Sequence, residues 1–264
     1  MSDDAVGLRR SLAERVARAA GAAALDLYRG RAALELEMKG RHDRVTEADR
    51  RVEALIRAKI SGVFPHDEIL GEEGGLEDVD LDARSLWVID PIDGTDCFVF
   101  GLPMWSISIA WMENGAVSIG VIYDPIHNEL YSAALGRGAC LNGTPIRAAE
   151  GTDLGTGLVG IGHSSRISPE VSLAALERLM ARGGMFHRCG SGALSLAWVA
   201  SGRLLGYFEA HINAWDCLAG ILLVAEAGGW HSDFLADEGL SRGNPLTAAA
   251  PNVVEDMRFV AGLG

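Results

Sequence analysis

Near the start of the chain, apolar residues recur at three- and four-residue steps: Leu8, Leu12, Val16, Ala20, Ala23 and Leu27. Arg9, Arg10, Glu14, Arg15 and Arg18 lie between them, and the pattern predicts an amphipathic helix over 8–27. A second stripe, Val52, Leu55, Ile56 and Ile60, follows Thr46 and Asp49. That pair fits the S/T-x-x-D/E capping pattern and predicts a helix that starts at Thr46 and ends before Pro65. Past the acidic loop GEEGGLEDVDLD the period changes. Apolar runs predict strands over 86–89, 106–111, 116–123 and 130–135, with ENG and DPIHN as turns, and several of them should pair antiparallel. The second half mixes both periods: strand-like 158–161, helices over 169–182 and about 193–200, strand-like 204–208, and a helix over 216–227 ending at Gly228-Gly229. Glycine, threonine and asparagine cluster over 143–157. The reading is therefore an N-terminal unit over 1–145, helices plus an antiparallel sheet, and a C-terminal α/β unit over 146–264.

With 264 residues, 48% of them hydrophobic, the chain can bury a sizeable core and is not disordered in composition. A net charge of -13 opposes binding to nucleic acid or an anionic membrane, both of which need a concentrated basic face. It suits a protein that collects cations. Cys97, Cys140, Cys189 and Cys217 form no CxxC pair and no zinc spacing with histidine, so they read as free thiols in a reducing cytosol. No apolar signal core opens the chain and no run reaches the roughly 18 apolar residues of a membrane span. A soluble cytoplasmic protein is the expectation.

The chemistry concentrates in WVIDPIDGT, Trp87 to Thr95, where an apolar strand runs into Asp90, is stopped by Pro91 and delivers Asp93-Gly94-Thr95. Residues three apart on a regular strand face opposite sides. Pro91 removes a ladder donor, however, and Gly94 allows a tight turn, so Asp90 and Asp93 can converge with the Ile92 carbonyl between them. Hard anionic oxygens of this kind select Mg²⁺ over softer metals. DPIDG also reads as a polar β-turn. Two further acidic elements weigh toward a site: Asp216 in WDCLAGILLVAEAGG, otherwise a plain N-cap, and Glu72 in GEE, otherwise a solvated loop glutamate. The run Gly155–Gly160 satisfies GxGxxG, but a strand rather than a helix follows it, which excludes a dinucleotide fold. Asp90 and Asp93 are three apart, whereas phosphatases that form a covalent aspartyl intermediate use Asp-x-Asp.

In this order, GEE, DPIDGT and WDCLAGxLLxxEAGG resemble the inositol monophosphatase family, and YDPIHNELYSAALGRGACLNG extends the similarity over nearly the whole chain. The resemblance implies a layered αβαβα sandwich of mixed α+β and α/β character, working as a homodimer. It implies two or three Mg²⁺ ions held by Glu72, Asp90, Asp93, Asp216 and the carbonyl of Ile92. Thr95, Asp49 and Glu72 are the implied catalytic residues, with Thr95 and Asp49 positioning and deprotonating the attacking water. Thr95 and Asp49 also read as a turn hydroxyl and a capping-box acid. Substrate contacts implied are the amides of Gly94 and Thr95 on the phosphate, then Asp93, Asp216, Gly192, Ala193, Glu209 and Ser164 or Ser165, with Lys39 near the metal-site loop. The implied activity is hydrolysis of a small phosphorylated polyol, first of all inositol 1-phosphate, by metal-activated water. Histidinol phosphate, fructose 1,6-bisphosphate and phosphoadenosine phosphate are alternative substrates, and a non-catalytic phospholigand-binding regulator is the alternative of another class. One departure stands out. Asp96 and Cys97 follow DGT where the family commonly has threonine or leucine and then asparagine, so the site carries an extra carboxylate that either tunes it or merely caps the next segment.

Overall fold

A computed structural model describes residues 3–31, 36–40 and 43–263; Lys39 and Thr46 lie outside the residues whose side chains are described. Along the chain come α1 (Asp3–Arg29), β1 (Leu36–Gly40), β2 (Asp43–Thr46), α2 (Glu47–Ser61), β3 (Glu68–Gly71), β4 (Ser85–Asp93), α3 (Thr95–Phe100), β5 (Ser106–Glu113), β6 (Ala116–Asp124), β7 (Glu129–Ala134), β8 (Ala139–Leu141) and β9 (Thr144–Pro145). Strands β3 to β9 form a seven-stranded sheet in chain order. Strands β3 and β4 run parallel, and the remaining pairs are antiparallel.

The strands of this sheet are apolar on both faces because both faces are covered. Trp87, Ile89, Ile107, Ile109, Trp111, Ile119 and Val121 pack on the stripes of α1 (Leu12, Val16, Ala20) and α2 (Val52, Ile56, Ile60). Leu86, Val88, Ala110, Ile122 and Tyr131 face the opposite way, into a second core.

The second half supplies that core: β10 (Leu158–Ile161), α4 (Pro169–Ala181), β11 (Met185–His187), α5 (Gly192–Ala200), β12 (Gly206–Ile212), α6 (Ala214–Glu226), β13 (Trp230–His231), α7 (Gly239–Arg242), β14 (Asn244–Ala249) and α8 (Val254–Ala261). Helix α6 is buried from Cys217 to Val224, as a helix apolar all round must be. With α5 it fills the space between the first sheet and a five-stranded sheet of order β11-β10-β12-β14-β13. Ala175 and Leu179 of α4 and Met257 and Val260 of α8 cover the outer face of that sheet, on Val159, Ile161 and Phe208. The result is helices, sheet, helices, sheet, helices: the αβαβα sandwich that the resemblance implies.

Three local readings change. Strand β4 runs through Pro91 to Asp93 instead of stopping at Pro91. A short helix, α3, follows directly where no element is predicted. Helix α6 begins at Ala214, so Asp216 is its third residue and Asn213 takes the N-cap position. No helix among the described residues is long and apolar enough to cross a membrane.

Candidate active site

A β-bulge brings the two aspartates of DPIDG together. Asp90 pairs with Ser108 and Asp93 with Ser106, so β4 holds one residue more than β5 over this stretch. An extra residue reverses the side-chain alternation, which moves Asp93 onto the face that Asp90 occupies. The Asp90 carboxylate accepts the Ile92 N–H at 2.9 Å. Asp93 accepts the amides of Gly192 at 3.2 Å and Ala193 at 2.9 Å, the Ser106 hydroxyl at 3.3 Å and the Ser191 hydroxyl. The first turn of α5 is thus fastened to the end of β4.

Helix α6 carries the third carboxylate. Asp216 accepts from the Asn213 amide at 3.0 Å and the Asn213 side chain at 3.2 Å, and oxygens of Asp90, Asp93 and Asp216 lie within 4.8 Å of one another. Burial, followed by the charges of Glu72, Asp93 and Asp216, raises Asp90 well above the usual carboxylate range. Burial, reinforced by Asp216, pushes Asp93 up to about 7, against the pull of its hydrogen bonds from Ser191, Ala193 and Gly192. Burial likewise raises Asp216. Three enclosed anions this close, offering oxygen donors alone, have the chemistry of a hard divalent-cation site: bound positive charge removes the repulsion that otherwise forces protonation.

Glu72 follows β3, its amide donating to the Ile89 carbonyl at 3.3 Å, and it lines the same cavity. The loop that bears it is held by Glu53 of α2, which accepts the amides of Glu73 at 2.8 Å and Gly74 at 3.0 Å and pairs with Arg57 at 2.7 Å. Thr95 opens α3. Its hydroxyl lies 3.4 Å from the Asp49 carboxylate and 3.2 Å from the Ile92 carbonyl, so the three are adjacent. Gly94 before it has φ 95°, and a Cβ there would lie 2.9 Å from the Met104 carbonyl, which restricts the position to glycine.

The cavity measures about 600 Å³ and is walled by Glu72, Asp93, Asp216, Gly192, Glu209 and the 163–166 loop, with Arg188 and Asp96 also on its lining. Gly192, Glu209, Ser164 and Ser165 therefore lie beside the carboxylates. Ala193 is fully buried and reaches the site through Asp93. Burial pushes Glu209 up to about 7, opposed by the Tyr207 hydrogen bond and by Arg188. At the departure from the family pattern the two residues diverge. Asp96 is exposed on the cavity lining, whereas Cys97 turns inward and its thiol, raised by burial, lies 3.5 Å from the Cys189 carbonyl.

Glu53, Ser191, Arg166 and Arg188 are members of this neighbourhood that the motifs do not identify. Glu53 left a trace, a charged residue beside Val52 on an apolar stripe. The arginines left none, because each sits on a loop whose position depends on the second sheet.

A family model described as the inositol monophosphatase family matches residues 9–262. The protein named Nus factor SuhB from Pasteurella multocida is 40% identical over 251 residues, 94% of this chain and 93% of its own length. Its namesake from Escherichia coli K12 is 38% identical over 250 residues with the same coverage. Among solved structures, extragenic suppressor protein suhB from Bartonella henselae aligns with TM-score 0.87 at 31% identity, over 95% of this chain and 97% of that one. The IMPase of Thermotoga maritima aligns with TM-score 0.83 at 33% identity, over 97% of each chain.

Proposed function

The chain belongs to the inositol monophosphatase family, and from that premise we propose that it is a Mg²⁺-dependent phosphomonoesterase acting on a small phosphorylated polyol, inositol 1-phosphate first of all. One observation carries this reading: three carboxylates converge to within 4.8 Å, two of them, Asp93 and Asp216, on the wall of a polar cavity of substrate size. Glu72, Asp90, Asp93, Asp216 and the Ile92 carbonyl would hold two or three Mg²⁺ ions. Bound there, Mg²⁺ supplies Lewis-acid stabilisation of the phosphoryl and leaving oxygens and lowers the pKa of water.

The remaining work falls to the protein. The Thr95 hydroxyl, within reach of Asp49, orients the attacking water and relays its proton to the Asp49 carboxylate. The amides of Gly94 and Thr95 hold the phosphate while the P–O ester bond breaks. The water oxygen bonds to phosphorus as that bond breaks, the leaving alkoxide takes a proton from solvent water, and Asp49 returns its proton to solvent, giving an alcohol and inorganic phosphate. Gly192, Ser164 and Ser165 form the wall for the alcohol, and Glu209 accepts one of its hydroxyls. Four free thiols support a reducing cytosolic setting. Exposed Leu158, Met185 and Phe186 at one edge of the second sheet support a homodimer.

Phosphate release from inositol 1-phosphate is expected to require Mg²⁺ and to stop with EDTA. Asp90→Asn should lower turnover on the order of a hundredfold or more, since even groups outside the ligand shell cost 10–100-fold. Wild-type Mg²⁺ dependence and turnover in Asp90→Asn would overturn the assignment. The same assay on histidinol phosphate, fructose 1,6-bisphosphate and phosphoadenosine phosphate ranks the alternatives. The name Nus factor borne by two relatives favours a second reading, in which the fold binds a phospholigand within an assembly. No phosphate release from any of these esters at saturating Mg²⁺ would favour it.

A further inference from the structure

Behind Glu209 on the cavity wall lies a residue with no role in the chemistry described so far, Tyr207. Tyr207 and Glu209 are two apart on β12 and so share a face of the second sheet. The buried Tyr207 hydroxyl donates to Oε2 of Glu209. Burial and the charge of Glu209 raise the phenol well above its ordinary value, so it remains a donor at any physiological pH.

Among the described residues Glu209 forms no ion pair and accepts no other hydrogen bond, although it lines the cavity. One glycine, Gly162, makes room for the pair. The Gly162 amide donates to the Phe208 carbonyl at 2.8 Å, and this pins its backbone beside β12. A Cβ at Gly162 would lie 2.2 Å from Oε2 of Glu209 and 2.6 Å from the Tyr207 hydroxyl oxygen.

We propose that Tyr207 is a positioning residue, and Gly162 the space it requires: together they fix Glu209 with Oε2 occupied and Oε1 open to the cavity, so that the site selects phosphate esters whose alcohol carries a further free hydroxyl. The inference rests on the phosphatase reading. A carboxylate anchored through one oxygen presents the other in a single direction, and a hydrogen bond to a charged acceptor discriminates most strongly against a ligand that leaves the acceptor unpaired. Without the anchor the side chain reorients and the preference weakens.

The test measures kcat and KM on inositol 1-phosphate and on phenyl phosphate, whose alcohol has no further hydroxyl, for wild type, Tyr207→Phe and Gly162→Ala. Tyr207→Phe keeps the ring and deletes the donor, while Gly162→Ala keeps the donor and displaces the carboxylate. In both variants the ratio of kcat/KM, inositol 1-phosphate over phenyl phosphate, should fall about tenfold, carried by KM for inositol 1-phosphate. A merely structural role would lower both substrates together, and that result, or an unchanged ratio, overturns the proposal. Thermal melts identify a variant that fails to fold, in which case the other carries the test. A wild-type protein that releases phosphate from neither ester overturns the phosphatase reading and this inference with it.

Discussion

Burial raises Asp90, Asp93 and Asp216 above the ordinary carboxylate range, reinforced at Asp90 and Asp93 by neighbouring acids, against the hydrogen bonds that Asp93 and Asp216 receive. This has a consequence for stability without metal. Asp93 titrates near 3.8 in an unfolded chain and at about 7 in the fold, so between those values the folded state binds more protons than the unfolded one. Stability is then fully present below the lower value and is lost as pH rises through the upper one. In EDTA the melting temperature should fall from pH 5 to pH 8, and Mg²⁺ should restore more of it at pH 8 than at pH 5, where protons compete for the same oxygens. Asp90→Asn, which removes one charge from the cluster, should melt higher than wild type at pH 8 in EDTA and gain little from Mg²⁺. Scanning calorimetry decides, and a metal-free melting temperature that rises from pH 5 to pH 8 would exclude a repulsive cluster. At this scale the sequence was legible where one short motif contains the chemistry: DPIDG places two acids at a single strand end. Glu53 and Ser191, which hold the Glu72 loop and Asp93, were not legible, since each acts on a partner brought near only by tertiary packing.

Asp216 must be delivered by an element rather than a loop, and α6 does so by lying unusually close to the first sheet. A Cβ at Gly120 of β6 would meet the Ala219 carbonyl at 2.4 Å, and one at Gly220 would meet Leu196 of α5 at 2.5 Å. Ser108 of β5 donates to the Trp215 carbonyl at 3.0 Å, tying the start of α6 to the strand that pairs with Asp90. Gly120→Ala should therefore destabilise by about 1–3 kcal/mol as an overpacked contact and weaken Mg²⁺ binding, because α6 must retreat and take Asp216 with it. Gly7→Ala in α1 is the matched control: nothing lies within 4 Å of the added methyl, and alanine is the better helix former, so stability should rise by up to about 1 kcal/mol. Urea unfolding with parallel Mg²⁺ titrations checks both. If Gly120→Ala lost stability with unchanged Mg²⁺ affinity, α6 would not be the lever on the site. The periodicities foretold α6 and β6 within a few residues but not their contact distance, since a glycine in a strand reads the same whether a backbone approaches it or not. Strand β4 shows the same limit, because proline marks an interruption without saying whether the strand ends or bulges.

At the scale of the whole molecule, the sequence suggests two units meeting near residue 145, and packing ties the two stretches of chain together. One continuous core joins Leu86, Val88, Ala110 and Ile122 of the first sheet to Leu194, Leu218, Leu222 and Leu246 of the second half. Two halves that share a core should unfold in a single cooperative transition. The surface left over is equally informative. Strand β11 is an edge strand of the second sheet, three residues long, and its Met185 and Phe186 are 61% and 46% exposed, beside Leu158 at 41% on the neighbouring strand. An uncovered apolar edge invites pairing, and proteins normally bury such an edge or guard it with charge. Burial against a second copy, as the proposed homodimer requires, would account for the absence of charge on Met185 and Phe186. Sedimentation at micromolar concentration should give a dimer, and the double substitution Met185→Lys, Phe186→Lys should give a folded monomer. A monomeric wild type would sink the assignment. Because Arg188 follows β11 at once and lines the cavity, the edge and the site are mechanically continuous. The monomeric variant should therefore show a raised KM while its Mg²⁺ requirement persists, since Asp90 and Asp93 come from β4 and Asp216 from α6, elements packed in the shared core.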